Sequence, residues 1–253
     1  MEVDSEMFVF LMRYFNHGEK ENPRFFRRLG NPDIRDCNIL EIGCGTGSLA
    51  VYMVKELGAK HVLATDIEAV NIEFAQANLK HNYPELVDRI EYRVAMTTDL
   101  KPDDLFDCVV GKDMFEHIIE FKKVFDGICA HLKPGGRLMS GFGPLWESMK
   151  GGHALTIHPF DHLLPESYVV NRFNKTHDNK ITSIYDYGLN KLKLKDYEKI
   201  FKESGLRQDY LRMNLADSAF AKLMAATILK LPFFRRMTFN VYLIFTKPES
   251  AAQ

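Results

Sequence analysis

Glycine stands at every second position in Ile39-Leu40-Glu41-Ile42-Gly43-Cys44-Gly45-Thr46-Gly47-Ser48, a run that opens on an apolar stretch with an acid at its end. Backbone without Cβ atoms turns tightly and lets a ligand approach, and the helix that follows offers unpaired N–H groups in its first turn. Dinucleotide enzymes use the spacing Gly-x-Gly-x-x-Gly, whose third glycine admits a pyrophosphate. Here Ser48 holds that position and the glycine comes one residue earlier, at Gly47. Asp66 closes the next apolar run, at the offset of about twenty residues where a carboxylate accepts hydrogen bonds from ribose hydroxyls; its alternative role is to cap the following helix. Turn, acid and order together predict a site for an adenosine-bearing cofactor.

Imidazoles supply the second set of reactive groups. Gly151-Gly152-His153 is followed closely by His158-Pro159-Phe160-Asp161-His162. Imidazole acts as a base near neutral pH or ligates metals. Base or substrate-positioning work by at least one of these histidines is the leading reading; metal binding and a solvated or structural loop are the alternatives, and no metal centre is expected. His158 and His162 have the spacing of one helical face, but Pro159 places the pair at a turn.

The elements that must position these groups follow from periodicity. Phe8, Leu11, Met12 and Phe15 lie at helical spacing, so 5–16 reads as an amphipathic helix, with Gly18, Pro23, Gly30 and Pro32 separating it from the core. Strands are expected at 38–42, 61–65, 89–94, 106–111 and 137–142, alternating with helices at 48–57, 68–81 and 120–132. That alternation argues for βαβ units and a parallel sheet covered on both faces. After Phe142 it stops, and an irregular stretch rich in Gly, His and Pro runs to about Tyr187, with a helix at 165–174. Ligands bind at the carboxyl ends of the strands in open α/β sheets, where such an insertion sits. Its aromatics, Trp146, Phe160, Tyr168, Phe173, Tyr185 and Tyr187, read mostly as packing, with a minority available to an acceptor pocket. A helix at 195–204 and strands at 206–212 and 241–246 complete the chain; between those strands, 220–231 reads as an apolar helix that is either a core or cap element or an interfacial membrane helix with Arg235 and Arg236 at its end.

At 253 residues, 46% hydrophobic and 26% charged, the chain reads as one globular domain with additions. A net charge of -1 argues against a nucleic-acid partner held through many phosphates. Cys37, Cys44, Cys108 and Cys129 form no CxxC pair and read as reduced core residues; with no secretory pattern at the start, a cytoplasmic protein is expected.

The acid-x-Gly-x-Gly-x-Gly turn of Glu41 to Gly47, the strand-end Asp66, Leu132-Lys133-Pro134-Gly135-Gly136-Arg137-Leu138, and the run from Phe106 to Ile118 resemble the class I S-adenosylmethionine (SAM)-dependent methyltransferases, in the small-molecule branch related to quinone-biosynthesis enzymes. The resemblance covers about 38–141. It implies a Rossmann-like α/β fold with a seven-stranded, mostly parallel sheet, an antiparallel last strand and helices on both faces. It also implies an N-terminal helical cap over 1–30 and a SAM-dependent methyltransferase domain over 31–253, with an insertion at about 143–190. By the same implication Glu41 meets the methionine amino group of SAM, Gly43, Cys44, Gly45 and Gly47 line its methionine and ribose portion, Asp66 holds the ribose hydroxyls and Ile67 lies against adenine. Ala95 stands where relatives carry an adenine-binding aspartate, so adenine is left to backbone groups at Ala95 and Met96 or to a displaced Asp99; Lys112 joins the cofactor contacts. His117 falls in the loop after the fourth strand, next to the transferred methyl, with either a catalytic or a structural role; with His153 and His158 it completes the candidate bases. The N-terminal helix either closes over the cofactor or packs on the sheet edge. The expected activity is methyl transfer to a small-molecule or lipid-like acceptor at oxygen, with peripheral membrane contact through 220–236. A nicotinamide-dependent oxidoreductase and a non-catalytic SAM-binding partner subunit are the alternatives. Lys112-Asp113-Met114-Phe115, in place of an Asn-Pro-Pro-Tyr type element, again disfavours nucleic acid.

Overall fold

The computed structural model describes residues 5–177, 180–217, 219–227, 229 and 231–249. Five parallel strands, β1 (Asn38–Ile42), β2 (His61–Asp66), β3 (Ile90–Val94), β4 (Phe106–Lys112) and β5 (Leu132–Phe142), join an antiparallel pair, β6 (Arg207–Met213) and β7 (Val241–Thr246). Their order is β3-β2-β1-β4-β5-β7-β6, so the chain reverses its direction of travel between β1 and β4. The class expected from the sequence is the one observed, a seven-stranded mixed sheet with helices on both faces.

Side chains alternate across a strand, and the alternation divides the core in two. Ile39, Val62, Ala64, Cys108 and Val110 face one cluster with helices α1 (Ser5–Arg28), α2 (Ser48–Lys55) and α3 (Ala69–Asn82). Leu40, Leu63 and Val109 face the other, which holds Phe121, Phe125 and Ile128 of α4 (Phe121–His131), together with Tyr197 and Phe201 from 194–203.

The first helix does not stop where its breakers suggested: α1 runs from Ser5 to Arg28 with Pro23 inside it. Proline inside a helix costs about 3 kcal/mol or more. Burial of Phe25 and Phe26, with Leu29 just past the helix end, returns about 1.5–3 kcal/mol per side chain and wins. Gly18 has a positive reason to be small: a Cβ there would stand 2.1 Å from Ser48 Oγ, so its absence lets α1 cross α2 closely.

The insertion carries a hydrophobic cluster of its own, in which Leu155, Ile184 and Leu189 pack against Val169, Val170 and Phe173 of α5 (Glu166–His177). After α6 (Leu194–Glu203), the apolar helix expected at 220–231 is shorter, ending as α7 (Ala219–Ala226) before α8 (Pro232–Arg235). A residue before proline is driven out of the helical region, and Leu231 is extended, with φ -66 and ψ 136. Positions 228 and 230 of the stretch expected to contact membranes lie outside the described residues. Among the described residues no helix is long and apolar enough to cross a membrane.

Candidate active site

All five parallel strands point their carboxyl ends to one edge, which gathers Gly43 after β1, Asp66 at the end of β2, Ala95 after β3, Asp113 after β4 and Gly143 after β5. A crevice forms where strand order reverses. It holds a cavity of about 460 Å³ bordered by Gly43, Gly45, Asp66, Ile67, Ala95, Met96 and His117. Asp66 braces the glycine turn and caps the following helix. Oδ2 accepts the Gly45 N–H at 2.8 Å and fixes the glycine turn, while Oδ1 accepts the Glu68 N–H at 2.9 Å at the entry to α3. Each carboxylate oxygen has a second lone pair, and Asp66 borders the cavity, so two hydroxyls can be accepted there. Ile67 is 67% exposed, an apolar face placed for a planar ring. Asp99 does not border this cavity; its Oδ2 accepts the Met96 N–H at 2.7 Å and ties the loop together.

An adjoining cavity of about 230 Å³ lies beneath α1 and is bordered by Glu41, Gly43, Cys44, Ser48, Asn22 and Lys112. Glu41 is 2% exposed, and its Oε2 has no hydrogen-bond partner among the described residues. Burial pushes its carboxyl up to about 8, against the opposing pull of Lys112. The Lys112 Nζ donates to Asn22 Oδ1 at 2.9 Å, and burial lowers its pKa. A buried carboxylate oxygen without a donor is costly, and a bound cation would satisfy it. Gly47 does something else. It caps α2 with φ 83, its carbonyl accepts the Tyr92 hydroxyl at 2.7 Å, and a Cβ would meet the Tyr92 ring at 2.5 Å. Its smallness therefore serves the tyrosine, and Gly47 borders neither cavity.

A third cavity, of about 160 Å³, is bordered by Arg24, Arg28, Lys112, Gly143, Asn240 and Tyr242, and Asp113 borders all three. Asp113 sits in the left-handed region at φ 51, pinned by its N–H to the Gly141 carbonyl at 2.8 Å. Such strain in a residue other than glycine costs of order 1 kcal/mol and concentrates at functional sites. Packing of the cleft around it, with the Glu116 charge next, pushes the Asp113 carboxyl up to about 6, although the residue keeps an exposed surface. Sequence reasoning passed over Asp113, whose signal was its place directly after β4. It also passed over Tyr14, which borders both larger cavities from the edge of the buried stripe of α1.

The histidines separate by role. His117 borders the large cavity, and its Nδ1–H donates to the Gly188 carbonyl at 2.7 Å. His153, from the insertion, places its ring 5.0 Å from that of His117 and its Nε2 3.9 Å from Glu116 Oε1. Asn190 secures this meeting by donating from Nδ2 to the carbonyls of Phe115 and Ile118, at 2.7 and 3.0 Å. His158 is not brought there: it is exposed, because the chain around Pro159 turns outward. His162 is buried inside the insertion, donating from Nε2 to the Trp146 carbonyl at 2.7 Å with its pKa lowered by burial, and is structural.

A family described as a methyltransferase domain matches residues 39–136. The human mitochondrial ubiquinone biosynthesis O-methyltransferase is 37% identical over 102 residues, covering 40% of this chain and 27% of the relative. The ribosomal protein L11 methyltransferase of Chromohalobacter salexigens is 32% identical, covering 42% and 33%. The chain thus spans about a third or less of the length of these relatives. Phosphoethanolamine N-methyltransferase 2 of Haemonchus contortus, solved in complex with SAM, superposes with a TM-score of 0.59 at 19% identity over 91% of this chain and 53% of that one, a likeness of fold. These relatives and the matched family are methyltransferases, and none supports the nicotinamide reading.

Proposed function

With residues 39–136 forming a class I SAM-dependent methyltransferase domain, we propose that the protein transfers a methyl group from SAM to the oxygen of a small-molecule acceptor. The observation that carries this reading is the buried Glu41 carboxyl behind the glycine turn, whose Oε2 has no partner among the described residues, next to a cavity bordered by Asp66. Together they offer what an amino acid joined to an adenosine requires. Glu41 receives the ammonium, Asp66 the ribose hydroxyls, and Ile67, Ala95 and Met96 the base, with Gly43, Cys44, Gly45 and Lys112 around the linking portion. When bound, the cofactor supplies an electrophilic methyl on sulfur.

Oxygen is the favoured acceptor atom because a hydroxyl must lose its proton, whereas a free amine need not. Asp113, ionised at neutral pH with its carboxyl at about 6, is the proposed proton acceptor. His117 and His153 position the acceptor oxygen from the facing wall. Relatives named as ubiquinone biosynthesis O-methyltransferases support oxygen as the accepting atom, and a hydroxylated ring is the acceptor class proposed. Tritiated methyl from SAM is therefore expected to pass to catechols and phenols in an acceptor panel. Incorporation confined to amines would overturn the choice of oxygen.

Cofactor binding carries its own pH signature. Below about 8 the folded protein keeps a proton on Glu41 that the unfolded chain has already released above the ordinary carboxyl range. The ligand-free fold accordingly loses stability as pH rises through that window. An ammonium needs the ionised carboxylate, so calorimetric affinity for S-adenosylhomocysteine (SAH) is expected to rise between pH 6 and 8, by up to about tenfold per unit, with a proton released. Glu41→Gln should flatten the profile; an equally steep profile in the variant would disconnect Glu41 from the ammonium.

A further inference from the structure

Glu116, His117 and His153 come from two different parts of the chain, and their ligating atoms all lie within 4.8 Å of one another. Glu116 follows β4 and is almost wholly buried, with a side-chain exposure of 5%. Its Oε1 accepts the Gly143 N–H at 2.9 Å, while its Oε2 is buried and without a partner among the described residues. Both imidazoles are oriented in the same sense. A carbonyl only accepts, so the contacts of His117 Nδ1 with Gly188 O at 2.7 Å and of His153 Nδ1 with Gly151 O at 3.2 Å put the proton on Nδ1 in each ring. That leaves the Nε2 lone pair of both rings free for another partner. His153 holds its position at φ 52, a left-handed backbone uncommon outside glycine.

We propose that Glu116, His117 and His153 bind a divalent transition-metal cation whose open coordination positions hold the oxygens of the acceptor. Two neutral imidazoles and one carboxylate suit zinc and its first-row neighbours and leave room for further ligands. The backbone carbonyls on the two Nδ1–H groups are the outer partners that fix tautomer and ring orientation in such sites. An ion with bonds of about 2.0–2.2 Å holds its ligand atoms roughly 3–3.5 Å apart. The separations here, 3.9 Å for the Glu116–His153 pair, close to that by small side-chain rotations. A plain Glu–His pair would account for the 3.9 Å contact, but not for the orphaned Oε2 or for a second imidazole with a ring nitrogen within 4.8 Å of the other two ligating atoms.

The consequence rests on the methyltransferase reading: His117 borders the cofactor cavity, so a cation at this site stands where it can bind and acidify an acceptor hydroxyl. The cation site itself does not depend on it. Cobalt(II), titrated into the metal-free full chain and followed by its visible absorption, is expected to bind at one equivalent. His153→Ala and Glu116→Gln should each weaken it at least about tenfold. Circular dichroism and SAH affinity should stay unchanged in both, and Glu116→Gln keeps an acceptor for Gly143. Catechol added to the cobalt form should shift the absorption. Failure of the wild-type protein to bind cobalt at millimolar concentration, or equal binding by both variants, overturns the site. Cobalt binding without SAH binding upholds the site and removes the methyltransferase reading; SAH binding without cobalt binding does the reverse.

Discussion

Replacing Asp66 by alanine is expected to weaken SAH binding about 100-fold, because two hydrogen bonds to an ionised carboxylate contribute about 1.5 kcal/mol or more each. The same carboxylate anchors the Gly45 amide at 2.8 Å, so its loss also loosens the turn against which the rest of the ligand lies. Asp66→Asn separates the two contributions: its amide oxygen still accepts one hydrogen bond, and its affinity should fall between wild type and alanine. Calorimetry with circular dichroism as the folding control measures this. An alanine variant that binds within threefold of wild type would mean that no ribose lies against this strand end.

The larger effect is expected at Asp113. Asp113→Asn keeps shape and backbone conformation but removes the proton acceptor, a role worth about 10²–10⁴ in rate. Turnover should fall within that range while SAH affinity stays within about threefold. The pH profile gives an independent reading. A base must be ionised to act, so wild-type activity should rise with pH through about 6, where the cleft holds the Asp113 carboxyl, and the residual activity of the asparagine variant should lack that limb. Turnover within threefold of wild type would assign the proton to another group. Asp113 borders the large cavity that His117 also lines, so the proposed base lies on the same cavity as the proposed acceptor-positioning histidine.

Much of the cofactor side was legible in the sequence because it is local. A glycine turn between a strand and a helix is written in consecutive residues, and Asp66 follows at a spacing set by one helix and one strand. Four of the five parallel strands were visible because burial on both faces demands short apolar runs, and β3, at the sheet edge, because Ile90 and Tyr92 alternate with polar residues. Gly47 was read correctly as part of that turn, yet its reason for lacking a side chain is Tyr92, a contact 45 positions away that no spacing rule reports.

The acceptor side was decided by tertiary structure. His153 and His158 stand five residues apart in one histidine-rich stretch, and only the fold of the insertion on its own cluster turns one toward Glu116 and the other to solvent. The continuation of α1 through Pro23 has the same origin: local propensity says stop, and burial of Phe25 and Phe26 against the distant Tyr52 and Tyr242 overrules it. Short-range patterns encode backbone geometry and which face is buried. Distances between side chains far apart in the chain depend on how separately packed units dock, and that is why this sequence determines the glycine turn by itself while the meeting of Glu116, His117 and His153 exists only in three dimensions.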